Sequence, residues 1–148
     1  MPIAGARSGL FIGRSEVFEG GTDVDKRILI VDDDASTAFF LGENLTELGP
    51  GFLVETAGSG EEAQGKMTNQ RFDLVIADLR MPDMDGLDLT AWIQATYPQT
   101  RVILMTAYGS PLVEAEAGRL GICHYLTKPF RVERLIEAVR EVLNGVGS

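Results

Sequence analysis

Five short apolar runs, each followed by a stretch of helical spacing, constrain this chain more than any other feature. The runs are "RILIV" (27–31), "FLVET" (52–56), "FDLVIA" (72–77), "RVILM" (101–105) and the short "HYL" (124–126). In the first helical pattern Ala38, Leu41, Leu45 and Leu48 recur at helical spacing, with Gly49 as a stop. In the last, Val132, Leu135, Ile136, Val139, Val142 and Leu143 form one stripe. The remaining patterns cover 60–69, 86–96 and 112–120. Strands that alternate with helices imply a parallel sheet covered on both faces. Runs 27–31, 72–77 and 101–105 are apolar throughout, as central strands should be, whereas 52–56 alternates and suits an edge. With right-handed crossovers the expectation is an α/β fold, a doubly wound five-stranded parallel sheet with helices on both faces.

The 148 residues fit one domain. Residues 1–25 are Gly-rich without clear periodicity and read as a flexible arm; 26–143 read as the folded domain and 144–148 as a tail, with no room for a second domain. The cluster Leu10-Phe11-Ile12 is too short for a signal-peptide core, and no apolar run is long enough to span a bilayer, so a cytoplasmic location is expected. The single cysteine, Cys123, rules out an internal disulfide and is expected to be a small buried residue; His124 is expected to be exposed or structural. A net charge of -9 would repel a phosphate backbone and argues against direct nucleic-acid binding.

In doubly wound sheets, ligands bind beyond the carboxyl ends of the strands. The polar residues of this chain gather there. The first strand runs into Asp32-Asp33-Asp34, the third into Asp78, the fourth into Thr106, and Lys128-Pro129 follow the fifth. Crowded carboxylates repel one another until protons or a cation relieve them, and an oxygen-rich, water-retaining site of this kind suits Mg²⁺. A lysine and a threonine hydroxyl nearby suit a phosphoryl group. Asp34 or Ser36 would cap the helix that follows, leaving Asp32 and Asp33 to face the pocket.

Four stretches, "ILIVDDD", "LVIADLRMPDMDG", "ILMTAYGS" and "YLTKPF", resemble the receiver domain of two-component response regulators in residue type, order and spacing, over roughly residues 26–143. The resemblance implies a flavodoxin-like strand order 2-1-3-4-5. It implies that Asp78 accepts phosphate from a histidine kinase or histidine phosphotransfer protein, in a switch that catalyses its own Mg²⁺-dependent phosphorylation and dephosphorylation. Asp33 would ligate Mg²⁺, with Asp32 helping largely through water and the backbone carbonyl of Arg80 completing the protein ligands. Lys128 would pair with the phosphoryl oxygens, Thr106 would donate to one of them, and Tyr125 would be the aromatic switch residue. The Lys128–Pro129 bond would be cis. Residues 112–143, the fourth helix, fifth strand and fifth helix, would bind an effector or a second copy.

Blander readings stand beside these. Each residue alone suits a common structural role, and the functional reading rests on the convergence of five; Tyr125 as core filler remains nearly as good as Tyr125 as switch. "GSGEEA", 58–63, fits a dinucleotide fingerprint, which keeps a flavodoxin-like nucleotide-binding protein as the alternative. Ser59 and Glu62 also have capping-box spacing, and Glu61 and Glu62 would oppose a pyrophosphate. "DMDG", 83–86, fails as a calcium loop because Met81 and Trp92 would occupy ligand positions. A receiver-like module that signals without phosphate is the third possibility, opposed by the intact Asp33, Asp78, Thr106 and Lys128.

Overall fold

The computed structural model describes residues 25–107 and 109–144. The expected arm, apart from Asp25, and the expected tail, apart from Asn144, lie outside the described residues. By contacts the chain divides into two units, and the larger, Arg27–Leu48 with Val54 onward, carries the site. In the smaller, the Lys26 N–H donates to the Gly51 carbonyl at 2.9 Å and the Phe52 N–H to the Gly49 carbonyl at 3.3 Å.

Strands and helices alternate: β1 (Lys26–Val31), α1 (Ala35–Leu45), β2 (Phe52–Ala57), α2 (Gly60–Asn69), β3 (Leu74–Asp78), α3 (Gly86–Thr96), β4 (Arg101–Thr106), α4 (Pro111–Arg119), β5 (His124–Thr127) and α5 (Val132–Leu143). The sheet order is β2-β1-β3-β4-β5, with β1 paired parallel to β3, β3 to β4 and β4 to β5. This is the expected doubly wound order, with β2 at an edge. All five residues of β3 are buried, as are the last five of β4. Strand alternation then sorts the side chains. Leu29, Val31, Val75, Ala77, Val102 and Leu104 share a cluster with Ala63 and Met67 of α2, Leu89 and Ile93 of α3, and Ala117 of α4. Their neighbours Ile28, Ile30, Leu74, Ile76, Ile103 and Met105 are also buried, on the side where α1 and α5 touch each other.

Several local expectations shift for physical reasons. The first helix ends at Leu45, and Leu48 belongs to a 3₁₀ turn (Thr46–Leu48) before Gly49, whose φ is +114°. Phe72 and Asp73 precede β3 instead of opening it. The Asp73 N–H still donates to the Arg27 carbonyl and its carbonyl accepts from the Arg101 N–H, while the Asp73 carboxylate accepts from the Arg27 N–H and the Thr100 hydroxyl donates to the Phe72 carbonyl, so side chains supplement the backbone bonds there. The fourth helix starts one residue early, because Ser110 caps it and Pro111 fills its first turn. Cys123 is exposed, contrary to expectation: it precedes the short strand β5 at the sheet edge, held by one bond from its N–H to the Val102 carbonyl. His124 is half-buried and its Nε2 lies 3.0 Å from Glu141.

Candidate functional site

The carboxyl ends of β1, β3, β4 and β5 bring together groups that lie far apart in sequence. After β1 the chain leaves the sheet, and Asp34, in extended conformation, caps α1 by accepting from the Ser36 and Thr37 N–H groups. Thr37, through its N–H and its hydroxyl, and to a lesser degree the Ser36 N–H hold the Asp34 carboxyl below its ordinary value. Asp32 is turned the other way. It is buried, and its Oδ1 accepts from the Asp34 N–H at 2.9 Å. Its Oδ2 is buried with no hydrogen-bond partner among the described residues. Burial pushes the Asp32 carboxyl above its ordinary value, against the Asp34 N–H and Lys128, and with Asp78 and Asp33 adding repulsion.

Asp78 is the last residue of β3 and is 9% exposed. Its Oδ1 accepts from the Arg80 N–H at 3.3 Å, and its Oδ2 lies 3.4 Å from Lys128 Nζ. Lys128 Nζ also stands 3.5 Å from Asp32 Oδ2. Lys128 is carried there by its own N–H, which donates to the Thr106 carbonyl at 2.7 Å and ties the end of β5 to the end of β4. The Lys128–Pro129 bond is cis. Thr106 ends β4 fully buried, and its Cα partner on β5 is Thr127. Asp33 is exposed beside the pocket; it, Asp32 and Asp78 each offer an oxygen within 4.8 Å of the others. An all-oxygen donor set in which one buried oxygen has, among the described residues, no hydrogen bond and only the Lys128 ammonium as a nearby positive charge fits a hard divalent cation.

The turn behind Asp78 is shaped by packing. The Gly86 N–H donates to the Leu79 carbonyl at 2.9 Å. A Cβ on Gly86 would stand 2.8 Å from the Asp78 carbonyl oxygen and 2.9 Å from Leu79 Cα, so only glycine lets α3 start this close to β3. Asp85 caps α3 in a reciprocal box with Asp88. Neither task was assigned to this turn from the sequence; the D-G pair followed by Asp88 was the available signal. Between them Asp83 takes a left-handed φ of 70°.

The nucleotide-fingerprint stretch serves as a helix start. Ser59 Oγ accepts from the Glu62 N–H, and the Glu62 carboxylate accepts from the Gly58 N–H at 2.8 Å. The carboxylate returns one residue further back than a capping box predicts. It occupies an amide that a pyrophosphate would need. A Cβ on Gly60 would meet Met84 Sδ at 2.6 Å, so this glycine makes room for the turn after β3.

Residues 28–140 match the family model described as the response regulator receiver domain. The chain belongs to that family. This receiver domain is 40% identical over 116 residues to the transcriptional regulatory protein GlrR of Escherichia coli, covering 78% of this chain and 26% of that protein. It spans about a quarter of the length of such regulators. It is 36% identical over 124 residues to a probable chemotaxis protein CheY of Rhizobium etli, covering 81% of this chain and 94% of that protein. Among solved structures, a CheY-like receiver domain from Methanospirillum hungatei superposes with a TM-score of 0.77 at 31% identity, covering 82% of this chain and 95% of that one. Vibrio cholerae CheY4 does so with a TM-score of 0.74 at 31% identity, covering 80% and 99%. The role of the receiver domain is two-component signalling. No helix among the described residues is long and apolar enough to cross a membrane.

Proposed function

We propose that residues 26–143 form a phospho-accepting switch in which Asp78 takes a phosphoryl group from a histidine kinase or a histidine phosphotransfer protein. The observation that carries this reading is Lys128 Nζ standing 3.4 Å from Asp78 Oδ2 and 3.5 Å from Asp32 Oδ2 at the ends of separate strands. Asp33, Asp32, Asp78 and the Arg80 carbonyl would hold Mg²⁺, which when bound neutralises charge on the transferring group. Every other part is the chain's own. The end of β3 fixes the Asp78 carboxylate where an in-line phosphoryl group can reach it. Lys128 supplies a positive charge where phosphoryl oxygens will sit, and the Thr106 hydroxyl donates to one of them. Positioning and electrostatics are what phosphoryl transfer needs from a protein.

The product adds a charge of about -1.5 to -2 beside Thr106 and Lys128. Attraction of both toward Asp78 biases the β4 and β5 ends, and Tyr125 follows as the switch residue. The output is read on 112–143 by an effector or a second copy. The full-length regulators similar to this chain are transcriptional, so contact with nucleic acid would belong to an effector part. A cytoplasmic location suits these partners.

The test is the intact mass after incubation with acetyl phosphate and Mg²⁺. One labile phosphoryl group is expected, absent from Asp78→Asn and in EDTA. Normal labelling of Asp78→Asn would overturn the assignment.

A further inference from the structure

We propose that Gly109 is the seat of the Tyr125 ring, and that the missing side chain at position 109 is what lets Tyr125 lie turned inward; Gly109 is thereby a positioning residue for the switch, an inference that rests on the receiver reading above. Tyr125 sits on β5 opposite Leu104 of β4 and packs, half-buried, against the cluster shared by α2, α3 and α4. Gly109 lies in the loop between Thr106 and the α4 cap Ser110. A Cβ built on Gly109 would stand 2.8 Å from the Tyr125 hydroxyl oxygen, 3.3 Å from Cε2 and 3.5 Å from Cζ. The backbone at 109 is not in a left-handed conformation, so the glycine is required by this contact and not by its φ.

The hydroxyl is buried without a hydrogen-bond partner among the described residues. The Ser110 backbone lies near enough to favour ionisation slightly but does not complete a hydrogen bond. Burial first, and Glu114 in the first turn of α4 second, hold the phenol above its ordinary value. An unpaired buried hydroxyl opposes burial of an otherwise well-packed ring. The inward ring is therefore held by fit against a polar penalty, a balance that a small shift of the loop can tip. Gly109 is three residues from Thr106, so movement of Thr106 toward a phosphoryl group moves the wall of the seat. A methyl group there overlaps the far end of a side chain with two free torsions, and rotation of Tyr125 outward is the cheapest relief.

The experiment is nitration by tetranitromethane in a Cys123→Ser background, which removes the competing thiol. Trypsin does not cut before proline, so Tyr125 is the sole tyrosine of peptide 120–131, and Tyr97 and Tyr108 fall on other peptides. Gly109→Ala should raise nitration of Tyr125 several-fold over the parent, with Tyr97 unchanged. Gly118→Ala, whose Cβ meets nothing within 4 Å, should leave it unchanged. A folded Gly109→Ala with parental nitration at Tyr125 overturns the proposal. Should Gly109→Ala be too unstable to nitrate, its double variant with Tyr125→Phe decides, because without the hydroxyl the closest ring atom is 3.3 Å away. Recovery of the melting temperature supports the seat, and no recovery overturns it. The same samples are treated with acetyl phosphate. A parent that takes no phosphoryl group overturns the phospho-accepting reading, while nitration still decides the seat.

Discussion

The Lys128 ammonium lies 3.4 Å from the Asp78 carboxylate, across fifty residues of sequence, and a second carboxylate, Asp32, is 3.5 Å from the same nitrogen. Lys128→Met keeps most of the stem and removes the charge. Asp32 is then left 1% exposed with no cation beside it. Losing one partner of a fully buried pair costs about 3–5 kcal/mol, and because Lys128 is 27% exposed the expected loss is nearer 1–2 kcal/mol. Labelling of Asp78 by acetyl phosphate should slow by roughly a hundredfold, the scale of one lost electrostatic stabiliser. Denaturant unfolding and a labelling time course read the two effects separately. Labelling at the parental rate would remove Lys128 from the site.

The buried Asp32 carboxyl sets a pH dependence of defined sign. Its folded-state pKa is raised above the ordinary value of 3.8, so the folded chain binds that proton more tightly than the unfolded one. By linkage its contribution is most favourable below 3.8 and is lost as pH rises through the folded value. In EDTA, Asp32→Asn should therefore gain stability over the parent as pH rises to neutral, and the gain should vanish in acid. Mg²⁺ should reverse the order. At a hundred times its dissociation constant it stabilises the parent by about 2.7 kcal/mol, and Asp32→Asn by less. Thermal melts across pH, with and without Mg²⁺, check both. Equal Mg²⁺ effects on the two proteins would show that Asp32 is no part of the cation site.

The alternation of strands and helices was legible in the apolar runs, the strand order only through the family resemblance, and the gathering of Asp32, Asp33, Asp78 and Lys128 in where those runs end. β3 and β4 are buried almost throughout, so their sequences carry an unbroken signal, and Asp78 and Thr106 stand out as the first polar residues after it. Cys123 was misread because burial near a four-residue edge strand is set by the neighbours, not by residue type. The close approaches were illegible for a related reason. Nothing in "GSG" says that Gly60 faces Met84, or in "AYGS" that Gly109 faces Tyr125.

Asp83 holds a left-handed φ of 70° in the turn behind Asp78. Aspartate tolerates that region better than most residues, glycine adopts it freely, and a β-branched residue does not. Asp83→Gly should change stability by less than about 0.5 kcal/mol, strain relief offsetting the added freedom of the unfolded chain. Asp83→Val should lose about 1–2 kcal/mol. Urea midpoints at constant slope measure the pair. A Val variant as stable as the parent would mean that the turn relaxes to another conformation.

Two glycine substitutions should move stability in opposite directions. Gly118 lies exposed near the end of α4 with nothing within 4 Å of its built Cβ, so Gly118→Ala should stabilise by about 0.5–1 kcal/mol through the unfolded chain. At Gly86 a Cβ would meet Leu104 Cδ2 at 2.9 Å and two backbone atoms, the Asp78 carbonyl oxygen at 2.8 Å and Leu79 Cα at 2.9 Å, and neither backbone atom can rotate aside. Gly86→Ala should therefore destabilise by about 1–3 kcal/mol, the range for overpacking a tight site. It should also slow labelling, because the backbone that must shift is that of the phosphoacceptor itself. Lys128→Met slows labelling by losing charge, so salt should alter its deficit. Gly86→Ala slows it by geometry, and its deficit should hold across ionic strength. A Gly86→Ala protein that labels at the parental rate would show that α3 can retreat without moving Asp78.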